Sequence, residues 1–313
     1  MGVISVSCYS ANDAVLWNNF NASAKNGLFL FNRGYMEYHK DRFIDESLLF
    51  FDDDELVAVF PASRHDKQLN SHGGLTFGGF VYGVKMKQHR MLECFDALCR
   101  YAREKGFSRI VYKSVPYIYN LSPAQEDLYA IWRLGAILSR RDVSSTIDLR
   151  RPIKMPKGRK AQISRARREG VVISDSCDYD AFVTLENEVL QSRHGAMAVH
   201  SAKELALLAS RFPQNIRLVQ AKKDGELLAA AVLFVYPNLV HTQYMANSDS
   251  GCEIGALDLL VSEQLSQYAG QKDFFDFGTS MGTSESGLNE GLVAQKEGFG
   301  GRAVMYDTYE MVL

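Results

Sequence analysis

The sequence predicts a mixed α/β protein built as two tandem copies of one unit, each a mixed sheet flanked by helices. Three observations predict it. At 313 residues the chain is long for one core, so two domains are the natural expectation. The same order of elements is met twice along it. Within each pass, strand-like runs alternate with helical spacing, the pattern that lays helices on both faces of a sheet.

In the first pass, Leu48 to Phe51 and Leu56 to Phe60 are strand-like runs around the acidic turn Asp52-Asp53-Asp54. Gly73 to Tyr82 reads as the next strand. Met91, Phe95, Leu98 and Ala102 recur at helical spacing, and Gly106 is placed to cap that helix. Arg109 to Lys113 and the alternating run Ser144 to Leu149 supply two further strands. In the second pass, helices Tyr179 to Leu190 and Ala202 to Arg211 come first, the latter opened by a capping box of Ser201 and Glu204. Ile216 to Ala221 and Leu227 to Tyr236 flank Asp224-Gly225, a strong hairpin signal. Leu239 to Ala246 is the next strand. A helix with Ile254, Leu257, Val261, Leu265 and Tyr268 on one stripe follows, and Ser250 and Glu253 read as its capping box. Asp273 to Phe277 and Met305 to Val312 are the closing strands. Val111 to Gly135 is as long as Phe274 to Gly298, so the register of the two passes holds to the end. Arg151-Pro152 interrupts a charged stretch and sets the expected domains at 1–150 and 151–313.

Composition excludes several classes. A net charge of -2 gives no whole-molecule basic field, so DNA is not an expected partner. The five cysteines are scattered, with no pair at metal-ligand spacing, and no metal is expected. No basic-then-apolar segment opens the chain, and its most apolar stretch, Leu227 to Tyr236, is too short to cross a bilayer. With reduced thiols, these features make a cytoplasmic protein without a transmembrane segment the expectation.

Three stretches could carry chemistry. From Arg150 to Arg168 there are nine basic residues and no acid; Arg159, Lys160 and Arg165 are the candidates for holding phosphates of a substrate. The turn Ser248 to Ala256 feeds a helix N-terminus, where Ser250, Gly251 and Gly255 could present N–H groups to a cofactor phosphate, although Asp249 and Glu253 oppose an anion there. Asp276-Phe277-Gly278 ends a strand, the position at which open α/β sheets place ligands. It is no kinase motif, because no HRD precedes it and no APE follows. An ammonium such as Lys296 can stabilise a developing oxyanion, Asp276 can orient an acceptor or take a proton, and Tyr244 is predicted to face the same region. His72 and His241, on or beside predicted strands, read as structural histidines.

Arg159 to Val172, the strand ending in Asp276-Phe277-Gly278, and Gly287-Leu288-Asn289 through Gln295-Lys296-Glu297-Gly298-Phe299-Gly300 resemble the FemABX peptidyltransferases and the related BioF2-like acetyltransferase domains. These belong to the GNAT superfamily, the acyl-CoA N-acyltransferase fold, and the Fem enzymes carry two such domains in tandem. The order and spacing of the motifs carry the resemblance, most clearly from about residue 157 onward; Tyr38 to Ser47 and Ser71 to Gly79 suggest it in the first half.

The resemblance implies two tandem GNAT-like domains and transfer of an acyl or aminoacyl group to an amine on a cell-envelope precursor, a peptidoglycan intermediate or an amino sugar. Acyl-CoA or aminoacyl-tRNA would be the co-substrate, with no permanently bound cofactor. A nucleotide sugar or lipid-linked precursor would be the acceptor, with tRNA as a further candidate partner. By motif position Lys296 matches the family's catalytic lysine, and Asn289 and Phe299 fall among the substrate-binding positions. The sequence departs from the family in having no long coiled-coil arm for tRNA. The competing expectation is a GNAT-fold protein without chemistry that recognises a nucleotide sugar, tRNA or protein partner.

Overall fold

The computed structural model describes residues 4–313, apart from the side chains of Arg193 and His194. Two compact units divide the chain. One runs to Asp142 and also includes Met305–Leu313; the other is Val143–Val304. The division therefore falls inside a strand rather than at Arg151-Pro152, and most of the final strand is counted with the first unit.

The first unit contains β1 (Ile4–Cys8), α1 (Ala14–Ser23), α2 (Arg33–Met36), β2 (Ile44–Asp45), β3 (Leu48–Asp52), β4 (Glu55–Phe60), β5 (Ser63–His65), β6 (Gln68–Asn70), β7 (Val81–Tyr82), α3 (Gln88–Glu104), β8 (Arg109–Lys113), α4 (Glu126–Arg133) and the start of β9 (Ile137–Asp148). The hairpin β3–β4 turns at Asp53, whose φ of 51° lies in the left-handed region. The predicted stripe of α3 is buried as expected: Met91, Phe95, Leu98 and Ala102 pack with Phe50, Phe60, Phe80 and Tyr112 in one core.

Gly73 to Tyr82 is not a strand, and β7 is all that remains of it. The glycines there serve close approach instead of pairing. A Cβ at Gly74 would lie 2.2 Å from His39 Nε2, and one at Gly79 (φ +83°) would lie 2.5 Å from the Tyr112 hydroxyl. His72, in the same loop, adopts φ 57° and is buried beside His39, their ring centroids 5.6 Å apart.

Burial lowers the His72 imidazole from 6.5 to about 3, and the neighbouring His39 adds to the shift. The fold thus favours neutral His72, so this stability is present above pH 6.5 and is lost as pH falls towards 3. Asp127, raised to about 6 by burial, acts in the opposite sense, so a direct comparison isolates His72. His72→Asn tolerates the left-handed backbone. Between pH 7 and 5, urea denaturation should show the natural protein losing about 2 kcal/mol more than this variant. Equal losses would assign the acid sensitivity elsewhere.

The second unit contains the rest of β9, α5 (Lys157–Arg168), β10 (Val172–Ser176), α6 (Tyr179–His194), α7 (Ala202–Arg211), β11 (Ile216–Lys223), β12 (Glu226–Val235), β13 (Leu239–Asn247), α8 (Asp249–Ile254), α9 (Ala256–Tyr268), β14 (Phe274–Thr279), α10 (Glu290–Glu297) and the start of β15 (Arg302–Val312). Its strands lie in the order β10-β11-β12-β13-β14-β9. The pairing of β10, β11, β12 and β13 repeats that of β1, β3, β4 and β7 in the first unit. The β11–β12 hairpin turns at Asp224 (φ 51°) and Gly225 (φ 84°), as the Asp-Gly signal predicted, and the Ser201–Glu204 capping box is present. Val219, Ala229, Ala231, Leu233, Phe275 and Phe277 face Ile163 of α5 and Leu257, Leu260 and Val261 of α9. Alternate residues, Gln220 and Val232 among them, point to the opposite face, where α6 lies against β12 and β13.

The helix expected after β13 is broken in two, and the Ser250–Glu253 capping box is absent. Ser248 caps α8 instead, its Oγ accepting from the Gly251 N–H at 2.9 Å. Gly255 stops α8 at φ +80°; a Cβ there would lie 2.7 Å from the Gln162 carbonyl of α5. Close packing of α5 against this break requires glycine. Among the described residues, no helix is long and apolar enough to cross a membrane.

Candidate functional site

Parallel pairing of β13 with β14 is short. It runs Leu239↔Phe274, Val240↔Phe275, His241↔Asp276 and stops there, although both strands continue. Beyond that couple each strand is irregular: the β12–β13 register shifts between Val232 and Leu233, and the β14–β9 register shifts between Asp276 and Thr279. Such bulges re-aim side chains and end pairing. Gly278, at φ +73°, lies within the second one.

Asp276 is 0% exposed, yet its carboxylate is well supplied with donors. The Ser144 and Thr146 hydroxyls of β9 donate to Oδ1 at 2.5 and 2.7 Å, and His241 Nδ1 lies 2.8 Å from Oδ2. A carboxylate already accepting two hydroxyls takes the imidazole as a third donor, which assigns the proton to Nδ1 and leaves Nε2 the basic nitrogen. Gly278 supports the same edge of the ring. A Cβ at 278 would lie 3.0 Å from His241 Cε1 and 3.7 Å from Nε2, so a side chain there would press on it.

Lys296 of α10 is 3% exposed, and its amine points at the β14 bulge. Nζ donates to the Gly278 and Thr279 carbonyls, both at 2.9 Å, and to Ser280 Oγ at 2.8 Å. All three ammonium protons are thereby engaged. Burial lowers its pKa to about 8, with Asp276 acting in the other direction. Lys296 holds the segment that carries Gly278, and through it the surroundings of His241.

The other predicted site residues are dispersed within the second unit. Arg159 stacks 4.2 Å over the Phe299 ring, pairs with Asp258 at 2.5 Å and donates to the Gln295 carbonyl at 3.1 Å. Phe299 is buried and stacks on Phe277. These two tie α5, α9 and α10 together. Lys160 and Arg165 are exposed on α5. Asn289 caps α10, its Oδ1 accepting from the Leu292 N–H at 3.1 Å, while its own N–H donates to the Ser280 carbonyl at 2.9 Å. Tyr244 meets His200 Nδ1 through its hydroxyl and lies near Phe182 of α6. Gly251 packs where a Cβ would lie 2.5 Å from the Leu228 carbonyl, and Ser250 bonds Glu226 at 3.4 Å. With Asp249, Glu226 and Glu253 around it, the start of the six-residue α8 is acidic, a poor seat for phosphate.

The structure therefore brings Asp276, Lys296 and Asn289 to one segment and adds His241, which sequence reasoning left as structural. Its only signal was equal depth in two neighbouring strands, which no spacing along the chain reveals. Glu186 of α6 is a buried acid elsewhere in this unit that the sequence did not single out. Its Oε2 lacks a hydrogen-bond partner, and burial raises its pKa to about 7.

No family model matches this chain. No curated protein matches it either. Solved structures do. FemX superposes with a TM-score of 0.71 at 11% identity, over 99% of this chain and 97% of that one. The C-terminal domain of a putative lysylphosphatidylglycerol synthetase from Agrobacterium fabrum gives 0.62 at 12% identity, over 96% and 92%. A tandem GNAT protein from the clavulanic acid biosynthesis pathway gives 0.55 at 12% identity, over 98% of each chain. The chain thus has a tandem acetyltransferase-like fold. More particularly, that fold is of the GNAT/FemABX type, as the motifs in the second half led one to expect.

Proposed function

We propose that the protein is an N-acyltransferase, moving an acyl or aminoacyl group from a thioester or ester donor to an amine. The observation that carries this reading is the buried Asp276–His241 pair at the point where β13 and β14 stop pairing. Asp276 holds the tautomer, and His241 Nε2 takes the proton that the attacking amine sheds. The nitrogen bonds to the donor carbonyl carbon, and collapse of the tetrahedral intermediate expels thiolate or alkoxide, to which the proton is returned. Lys296 fixes the Gly278–Ser280 segment beside this base; in this arrangement its cation acts through the field it sets up there, not by direct contact with the oxyanion. Acyl-CoA and aminoacyl-tRNA are the candidate donors. The acceptor we favour is an amine on a cell-envelope precursor, in keeping with the resemblance to the Fem enzymes.

The acidic start of α8 favours a second reading, a GNAT-fold protein that binds a nucleotide sugar, tRNA or partner protein without turnover. Incubation with acetyl-CoA, and separately with aminoacyl-tRNA, against amino-sugar and peptidoglycan-precursor acceptors decides between them. A mass increase of the acceptor by one acyl group is expected with one donor. No turnover with any donor, together with tight nucleotide-sugar binding, would establish the binding protein instead.

A further inference from the structure

The sequence holds two tryptophans, Trp17 and Trp132. Trp17 is fully enclosed, whereas Trp132 is 69% exposed. Trp132 has exposed apolar company. Helix α4 ends at Arg133, a turn follows with Gly135 at φ +73°, and β9 begins at Ile137. Tyr129, Trp132, Leu134, Ile137 and Leu138 all stand exposed on this one helix–turn–strand projection of the first unit. The projection is ordered: the Ala136 N–H donates to the Ile131 carbonyl at 3.0 Å, and the Tyr129 and Trp132 ring centroids lie 5.6 Å apart. Single exposed apolar residues are ordinary, but five concentrated on one turn mark a contact surface.

Charge says what the surface meets. From Tyr129 to Arg141 the chain carries Arg133, Arg140 and Arg141 and no carboxylate. Arg140 is paired with Asp142 at 2.8 Å and Arg141 with Asp307 at 2.7 and 2.8 Å, so the net cation on the projection is Arg133. Indole and phenol rings beside aliphatic side chains, with guanidinium groups at the flank, is the chemistry of a headgroup interface. We propose that the Tyr129–Arg141 projection docks on an anionic lipid bilayer. Trp132, Ile137 and Leu138 enter the boundary between headgroups and acyl chains, and Arg133 meets lipid phosphates. The attachment is peripheral and independent of the acyl-transfer reading.

Flotation of the full chain with vesicles of phosphatidylcholine, with and without phosphatidylglycerol, tests this. Binding to the phosphatidylglycerol vesicles is expected, with a blue shift of tryptophan emission that Trp132 supplies and enclosed Trp17 does not. Trp132→Ser and Ile137→Glu should each weaken vesicle binding about tenfold or more, and Arg133→Glu should abolish the preference for phosphatidylglycerol. Both apolar substitutions fall on exposed side chains, and circular dichroism confirms that the variants fold; Leu138→Glu serves if one does not. The proposal is overturned if the natural chain stays unbound, if it binds both vesicle types equally, or if the variants bind as it does. A dimer in sedimentation that Ile137→Glu dissolves, without vesicle binding, would overturn it too and assign the surface to a second copy.

Discussion

His241→Ala should lower turnover by about a hundredfold to ten-thousandfold, the range general-base catalysis commonly contributes. Donor and acceptor binding should change far less, because the imidazole acts on a proton rather than on the bulk of either substrate. The argument runs from the strand pairing outward. His241 and Asp276 are the last matched pair of two parallel strands, so their backbones are fixed while the space beyond is not filled by further pairing. Ser144 and Thr146, from the strand on the other side of β14, hold Asp276 in one orientation. Asp276→Asn would keep the size but supply an amide that can donate, so the His241 tautomer is no longer dictated. It should lose turnover by a similar factor. The split between turnover and binding separates a base from a bystander: His241→Ala should lower kcat with KM little changed, whereas a merely structural loss would move both. A variant retaining full rate would remove His241 from the mechanism.

Much of this architecture could be read along the chain because it rests on local signals. The Asp224-Gly225 turn, the Ser201–Glu204 box and the α3 stripe each depend on residues a few positions apart. Signals that depend on distant neighbours mislead. Gly73 to Tyr82 reads as a strand, yet its glycines answer to His39 and Tyr112, which lie far away in sequence. Ser250 and Glu253 have capping-box spacing, but Gly255 must sit against the Gln162 carbonyl, and the helix breaks there and starts earlier. The site divides the same way. Asp276 stands out as a charged residue at a strand end and Lys296 by its match to the family lysine, and the structure brings the Lys296 amine onto the segment around Gly278. Arg159 stands out within a basic run, and its guanidinium lies on Phe299 with Asp258 as partner.

Lys296→Met should leave stability at pH 7 within about 2 kcal/mol of the natural protein while removing most turnover, because two effects of similar size oppose each other. The substitution leaves the Gly278 and Thr279 carbonyls without their donor, and a buried polar group so orphaned costs about 1–3 kcal/mol. Against that, the ammonium itself is held unfavourably. Its pKa falls from 10.5 to about 8, so at pH 7 the fold carries a charge that the unfolded chain bears more easily. Linkage fixes the sign. Below pH 8 the lysine is protonated in both states; between 8 and 10.5 the native state has released the proton and the unfolded chain has not, so stability rises with pH. Over that window the gain is about 3 kcal/mol, and Lys296→Met cannot show it. Urea midpoints for both proteins from pH 7 to 10 therefore diverge if this amine is the titrating group, since every other ionisable residue is common to the two. Parallel curves would show that it is not. Divergence with lost turnover would mean that the lysine is kept at little net benefit to stability, and that what it supplies is the position of Gly278 against His241.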